Sequence, residues 1–235
     1  MLNIKNLTKK YGEKVAVDDL TLQVGSGQIW AFIGHNGAGK TTTLKAVAGI
    51  IEYEKGEILV DDINIKLNPI EAKNIMAYLP DNPDLYEHLK GIDYLNFIAD
   101  VYKINKDKRQ ENIEKYAKRL AIYNDLKAPI SSYSHGMKQK LALVSALLHN
   151  PKLLLLDEPF VGLDPKSSHE FKEIMNEFVK GGAAIFYSTH VLEVAEKICT
   201  HVAIIKKGKL VASGEMAKIR GMKSLEKLFL ELENE

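Results

Sequence analysis

The sequence predicts an α/β fold with a mostly parallel sheet, an N-terminal antiparallel β subdomain and an inserted helical subdomain. Three observations carry this. Short apolar runs such as Ile29–Ile33 and Leu153–Leu156 are each followed by a helical pattern, and that alternation packs as a parallel sheet covered by helices. Residues 1 to 32 contain apolar positions that alternate with polar ones, as in half-buried antiparallel strands. From Gly91 to about Asn150 the apolar residues recur at helical spacing instead.

In chain order, Leu2 and Ile4, then Leu20, Leu22 and Val24, mark two strands with Tyr11-Gly12 in the turn between them. Gly25-Ser26-Gly27 turns the chain into the Ile29–Ile33 strand. Gly34-His35-Asn36-Gly37-Ala38-Gly39-Lys40-Thr41 follows, and it fits G-x-x-x-x-G-K-[ST]. A helix then runs from Thr42 to Ala48, with Leu44, Val47 and Ala48 at helical spacing. Strand, glycine loop and helix in this order mark a P-loop NTPase core. Glycines let backbone N–H groups converge on a phosphate without Cβ clashes, and the helix start adds its positive dipole end. Lys40 is placed to reach the β- and γ-phosphates, and Thr41 to offer a hydroxyl to Mg²⁺.

Ile58, Val60, Ile63 and Ile65 suggest a hairpin about Asp61-Asp62. Residues 76 to 80 read as a short strand closed by Pro80. In the helical stretch, Ile92, Leu95, Ile98 and Ala99 share a face, as do Ile113, Tyr116, Ala117 and Leu120. Leu141, Val144, Ser145 and Leu148 form a third stripe, ended by Asn150-Pro151. These helices either form an inserted subdomain or cover the sheet; periodicity fits both. Leu153–Leu156 suits a central strand buried on both faces. Asp164-Pro165 starts a helix whose buried stripe is Phe171, Ile174, Met175 and Phe178, and Gly181-Gly182 ends it. Ala183 to Tyr187 is a strand closed by Ser188-Thr189-His190. Val202 to Ile205 and Lys209 to Ala212 flank a turn at Lys207-Gly208. Leu225, Leu228, Phe229 and Leu232 give the tail an amphipathic helix, read as packed on the domain. The division expected is a core over about 1–82 and 151–220, a helical part over about 83–150, and a C-terminal helix over about 221–235.

Composition narrows the function classes. The chain has 235 residues, 46% hydrophobic and 27% charged, with 32 Lys+Arg against 31 Asp+Glu. A net charge of +1 is no footprint for nucleic acid, which calls for a basic excess. The single Cys199 has no internal partner and suits a reducing compartment. No run approaches the roughly 18 apolar residues of a membrane span, and Met1–Lys5 lacks a leader's apolar core. A cytoplasmic protein is expected, whose membrane work, if any, depends on another subunit.

The acids add chemistry to the loop. Ligands of parallel sheets sit at the carboxyl ends of strands, where Asp157 and Glu158 fall. Asp157 suits Mg²⁺ through its water shell, and Glu158 suits accepting a proton from an attacking water. His190 ends another strand; it either meets a γ-phosphate or serves the structure. Tyr11 either stacks on a base or simply packs. Tyr133-Ser134-His135-Gly136-Met137 precedes a helix, so Ser134 and Gly136 offer a second anion site. A second such site is most useful to a nucleotide held by another copy of the chain.

Together these residues resemble the nucleotide-binding subunit of an ATP-binding-cassette (ABC) transporter, over nearly the whole chain. Gly34–Thr41 matches the family's Walker A loop, Leu153–Glu158 its Walker B strand and catalytic Glu, Gly162-Leu163-Asp164 its D-loop, and His190 its switch His. Tyr11 matches the aromatic that stacks on adenine. Two departures stand out. The Leu-Ser-Gly-Gly-Gln signature is replaced by Tyr133–Met137, retaining Ser134 and the second Gly, Gly136, as in variants of ABC-2-type exporters. Asp81 follows Tyr78-Leu79-Pro80 where the family has Gln, or Glu in that exporter group.

The resemblance implies ATP and Mg²⁺ as ligands. ATP would be held by Tyr11, Gly34, His35, Asn36, Gly37, Ala38, Gly39, Lys40, Thr41 and Thr42, with Ser134 and Gly136 serving a partner's nucleotide. Mg²⁺ would be held by Thr41, Asp157 and the shorter Asp81. Glu158 and His190 would be catalytic. Two subunits would pair head to tail, as a homo- or heterodimer, on the inner face of the cell membrane beneath an integral-membrane permease, that of an exporter. Two alternatives fit the same motifs: a cassette ATPase acting on ribosomes or DNA, and a nucleotide-gated regulatory subunit with little hydrolysis. The transported substrate is not legible, because such subunits do not contact it.

Overall fold

The computed structural model describes residues 1–221 and 223–234. The chain opens with the antiparallel hairpin of β1 (Leu2–Tyr11) and β2 (Lys14–Val24), in which Leu2, Ile4, Leu20, Leu22 and Val24 are buried. Its turn lies one place later than expected: Tyr11 ends β1, and Gly12, at φ +59°, turns the chain with Glu13. β3 (Ile29–Ile33) is buried throughout, and α1 (Lys40–Val47) starts at Lys40 rather than Thr42. β4 (Lys55–Val60) and β5 (Ile63–Asn64) pair antiparallel across Asp61 and Asp62, whose φ angles are +50° and +64°. Positive φ at both positions matches the right-handed twist of a hairpin, and Asp tolerates it.

A short helix that the pattern did not announce, α2 (Pro69–Asn74), precedes β6 (Met76–Leu79). Three α-helices then separate β6 from the next strand: α3 (Gly91–Val101), α4 (Lys106–Arg119) and α5 (His135–Leu147). Asn105 caps α4 and Ser134 caps α5, accepting from the N–H groups of Lys108 and Met137. β7 (Leu153–Asp157) leads to α6 (Pro165–Lys180), which Asp164 caps from Ser167 at 2.9 Å. β8 (Ala184–Thr189) includes Ser188 and Thr189, which the sequence reading placed beyond the strand. A second unannounced helix, α7 (Leu192–Ile198), precedes the hairpin of β9 (His201–Lys206) and β10 (Lys209–Glu215). α8 (Met216–Arg220) and α9 (Leu225–Asn234) finish the described chain. Of the helix expected over 221–235, Met222 and Glu235 lie outside the described residues.

The strands form a four-stranded sheet in the order β2-β1-β4-β5 and a six-stranded sheet in the order β10-β9-β3-β8-β7-β6. Within the larger sheet β9, β3, β8, β7 and β6 run parallel and β10 is antiparallel. Each face carries its own apolar layer. On one side Leu44 and Val47 of α1 pack with Phe32, Leu155 and the antiparallel sheet. On the other, Leu95, Ile113 and Leu141 of α3, α4 and α5 share a core with Leu79, Leu156 and Phe171. β7 lies between these layers, so Leu153–Leu156 are all buried. Each such side chain contributes about 1.5–3 kcal/mol. The order β3-β8-β7 sets three strand ends side by side.

Candidate nucleotide site

The glycine loop leaves the end of β3 and wraps into α1. Gly39 sits at φ +112°, and a Cβ there would lie 2.5 Å from the carbonyl oxygen of Ala16. Both facts demand glycine, so the loop can pass close beneath β2. Lys40 is buried, and its Nζ donates to the carbonyl oxygens of Gly34 at 2.6 Å and His35 at 3.2 Å. Burial lowers its pKa, while the carboxylates of Glu158 and Asp157 oppose the shift.

At the end of β7, Asp157 is almost wholly buried, at 1% exposure. Both of its oxygens are engaged: Thr41 Oγ1 donates to Oδ2 at 2.6 Å, and Ser188 Oγ donates to Oδ1. The backbone N–H of Glu158 in turn donates to Ser188 Oγ at 3.3 Å. Glu158 has a φ of +49°, a left-handed conformation that costs a non-glycine residue about 1–3 kcal/mol. That kink turns Glu158 out of the strand line, and its half-buried carboxylate lines the cleft beside Asp157. His190 is exposed, with Nδ1 2.8 Å from Glu158 Oε1.

These groups surround a cleft of about 470 Å³ lined by Tyr11, Lys14, Asn36, Gly37, Gly39, Lys40, Thr41, Thr42, Asp81, Asp157 and Glu158. The structure thus brings together most of the residues expected at a nucleotide. Gly34, His35 and His190 line the neighbouring cavity instead, together with Asn36. Ala38 is buried behind the loop. Tyr11 stands on the rim, 51% exposed. Asp81 is exposed at the opposite edge, accepting from the N–H of Asn82 at 2.8 Å. Lys14 and Ser188 were not anticipated. Lys14 has no signal in sequence beyond being a lysine near a turn. Ser188 could have been found by extending the strand two residues.

Ser134 and Gly136 are not brought to this cleft. Ser134 is exposed at the start of α5, its hydroxyl oxygen accepting from the N–H of Met137 at 3.3 Å. Gly136 packs on Gly162, whose carbonyl oxygen would lie 2.5 Å from a Cβ. Lys140 pairs with Asp164 at 2.6 Å, which holds that carboxylate well below the usual range. The segments Tyr133–Met137 and Gly162–Asp164 therefore form one surface.

The donor set fits magnesium and phosphate. Thr41, Asp157 and Asp81 offer only hard oxygen ligands, the kind Mg²⁺ takes together with water and phosphate oxygens. The glycine loop offers backbone N–H groups, and Lys40 a cation, to the phosphates.

The sequence profile described as ABC transporter matches residues 17–161. The chain is 34% identical to the ABC-type transporter ATP-binding protein EcsA of Bacillus subtilis, over 100% of this chain and 97% of that protein. Among solved structures it is similar to an ATP binding subunit of an ABC transporter, at 34% identity and a TM-score of 0.95 over 99% of both chains. A dimeric ATP-binding cassette in a post-hydrolysis state with ADP and Pi shares the fold, at 22% identity and a TM-score of 0.83 over 92% of this chain and 99% of that one.

Proposed function

This chain belongs to the ABC transporter family and is its ATP-binding ATPase subunit; from that premise we propose that it uses Mg²⁺-ATP, in a head-to-tail pair, to energise a separate membrane permease in the export direction. The observation that carries the reading is the junction of Thr41 with Asp157, 2.6 Å apart. It joins the end of the phosphate loop to the acidic end of β7, where magnesium and the terminal phosphate would have to meet. Thr41 and Asp157 would hold the ion, with Asp81 across the cleft. The ion, when bound, supplies positive charge to the terminal phosphate oxygens. Lys40 would exchange its bonds to Gly34 and His35 for phosphate oxygens. Glu158 would take the proton of a water attacking the γ-phosphorus in line, as the bond to the ADP oxygen breaks. His190 would orient Glu158, and Tyr11 would stack on adenine.

Ser134 and Gly136 support the paired arrangement. Ser134 is exposed and Gly136 half-buried, and neither lines the cleft of its own chain; they stand at a capped helix start suited to anions. A second chain, placed head to tail, would bring its Ser134 to this chain's nucleotide; the dimeric state of the post-hydrolysis cassette is consistent with this. The helices over about 83–150 would move as one unit during closure. Between Asp81 and α3, Tyr86 is exposed and packs edge-on against exposed Phe97, with ring centroids 5.7 Å apart. Such an aromatic pair suits a permease contact, which would place the subunit on the cytoplasmic membrane face. No described helix is long and apolar enough to cross a membrane. The export direction rests on the likeness of Tyr133–Met137 to the ABC-2-type signature. Purification of the tagged chain from detergent-solubilised membranes tests the reading. It should recover an integral-membrane protein that raises ATP turnover; recovery of ribosomes instead would overturn it.

A further inference from the structure

The C-terminal helix α9 touches the phosphate loop directly and α7, the helix after His190, at its start. Phe229 is buried, and its ring meets His35 of the phosphate loop edge-on, with centroids 5.1 Å apart and planes at 61°. At the helix start, Glu196 of α7 accepts from the N–H of Leu225 at 3.1 Å and pairs with Arg220. α7 begins just after His190. Near the far end, Lys206 Nζ donates to the carbonyl oxygen of Leu232 at 3.1 Å. A cavity of about 450 Å³ lies between these parts, lined by Gly34, His35, Asn36, His190, Leu192 and Phe229. Fully buried Leu225 does what any covering helix requires. Phe229 does something more, because its neighbour is an exposed residue of the phosphate loop.

We propose that Phe229 is a positioning residue for the ATPase: through His35 it holds the start of the phosphate loop, and through α9 and Glu196 it sets that loop's spacing from His190. The proposal rests on Gly34–Thr41 being the ATP site. The edge-on aromatic pair itself is worth a modest factor in nucleotide affinity; truncating buried Phe229 also removes core packing, so Tm is read beside affinity.

The test uses the full chain with Phe229→Ala, Phe229→Tyr, His35→Ala and the double alanine variant. ATP affinity is measured by calorimetry, KM and kcat by phosphate release, and Tm by circular dichroism. Phe229→Ala should raise Kd and KM for ATP about 2- to 10-fold, Phe229→Tyr should stay near wild type, and the double variant should be no weaker than the weaker single. An unchanged Kd in a folded Phe229→Ala chain would overturn the proposal, as would effects of the two single changes that simply multiply. Should Phe229→Ala not fold, Phe229→Leu keeps the apolar volume and removes the ring edge; it should show the same affinity loss, and wild-type affinity there would overturn the proposal. A wild-type chain that binds no ATP would instead sink the assignment of the site, and this proposal with it.

Discussion

Nδ1 of His190 lies 2.8 Å from Oε1 of Glu158, so the residue just past β8 steadies the carboxylate at the end of β7. Neighbouring strand ends make this possible, since β7 and β8 pair in parallel up to Asp157 and Ser188. The left-handed backbone of Glu158 then turns its side chain toward the cleft.

Glu158→Gln keeps the size of that side chain and removes its basicity. Turnover should fall by roughly 10²- to 10⁴-fold, the usual worth of a general base. ATP affinity should stay within about twofold, because on this reading the phosphate contacts would come from the loop and Lys40. Phosphate release and equilibrium ATP binding, measured on one preparation, check both halves. Wild-type turnover in this variant would remove Glu158 from the chemistry.

Gly136→Ala tests the surface shared by Tyr133–Met137 and Gly162–Asp164. The added Cβ would lie 2.5 Å from the Gly162 carbonyl oxygen, so backbone has to shift. Overpacking of this sort costs about 1–3 kcal/mol, which in a chain of this length lowers Tm by roughly 2–12 °C. An unchanged Tm would show that the two segments separate freely.

His149 gives the fold a specific sensitivity to acid. Its ring stacks on Tyr102 at 3.7 Å, Nε2–H donates to the Met76 carbonyl oxygen at 3.1 Å, and buried Nδ1 has no partner. Burial pushes its pKa from 6.5 down to about 4. Above pH 6.5 the ring is neutral in folded and unfolded chains alike. Between 6.5 and about 4 the unfolded chain binds a proton that the folded chain refuses, so stability falls with pH and levels off below. The loss is about 3 kcal/mol over that window. His149→Phe should flatten this part of the Tm-against-pH curve relative to wild type; parallel curves would contradict the assignment.

Much of the candidate site was legible because its residues sit at strand ends. Ile29–Ile33 and Leu153–Leu156 are apolar runs that suit a strand covered on both faces, which places Gly34–Thr41 and Asp157-Glu158 at strand ends. The Asp164-Pro165 helix start was legible for a local reason, the capping geometry itself. What escaped was either short or tertiary. α2 and α7 span about two turns or fewer, too little for periodicity to register. Ser188 is buried with an oxygen on Asp157 only because β8 lies beside β7. The contact of Phe229 with His35 joins the chain's tail to the glycine loop after β3, and no local pattern encodes such a meeting.

The central claim is that each catalytic site is built from two chains, and a mixing experiment tests it most directly. Lys40→Ala disables the phosphate loop and Ser134→Arg blocks the surface offered to a partner; each chain alone should be nearly inactive. Mixed in equal amounts, they should recover a substantial fraction of wild-type turnover, since a mixed pair contains one site with an intact Lys40 and an intact Ser134. Turnover that stays at the level of the separate variants, although the mixed pair forms, would contradict a site shared between two chains.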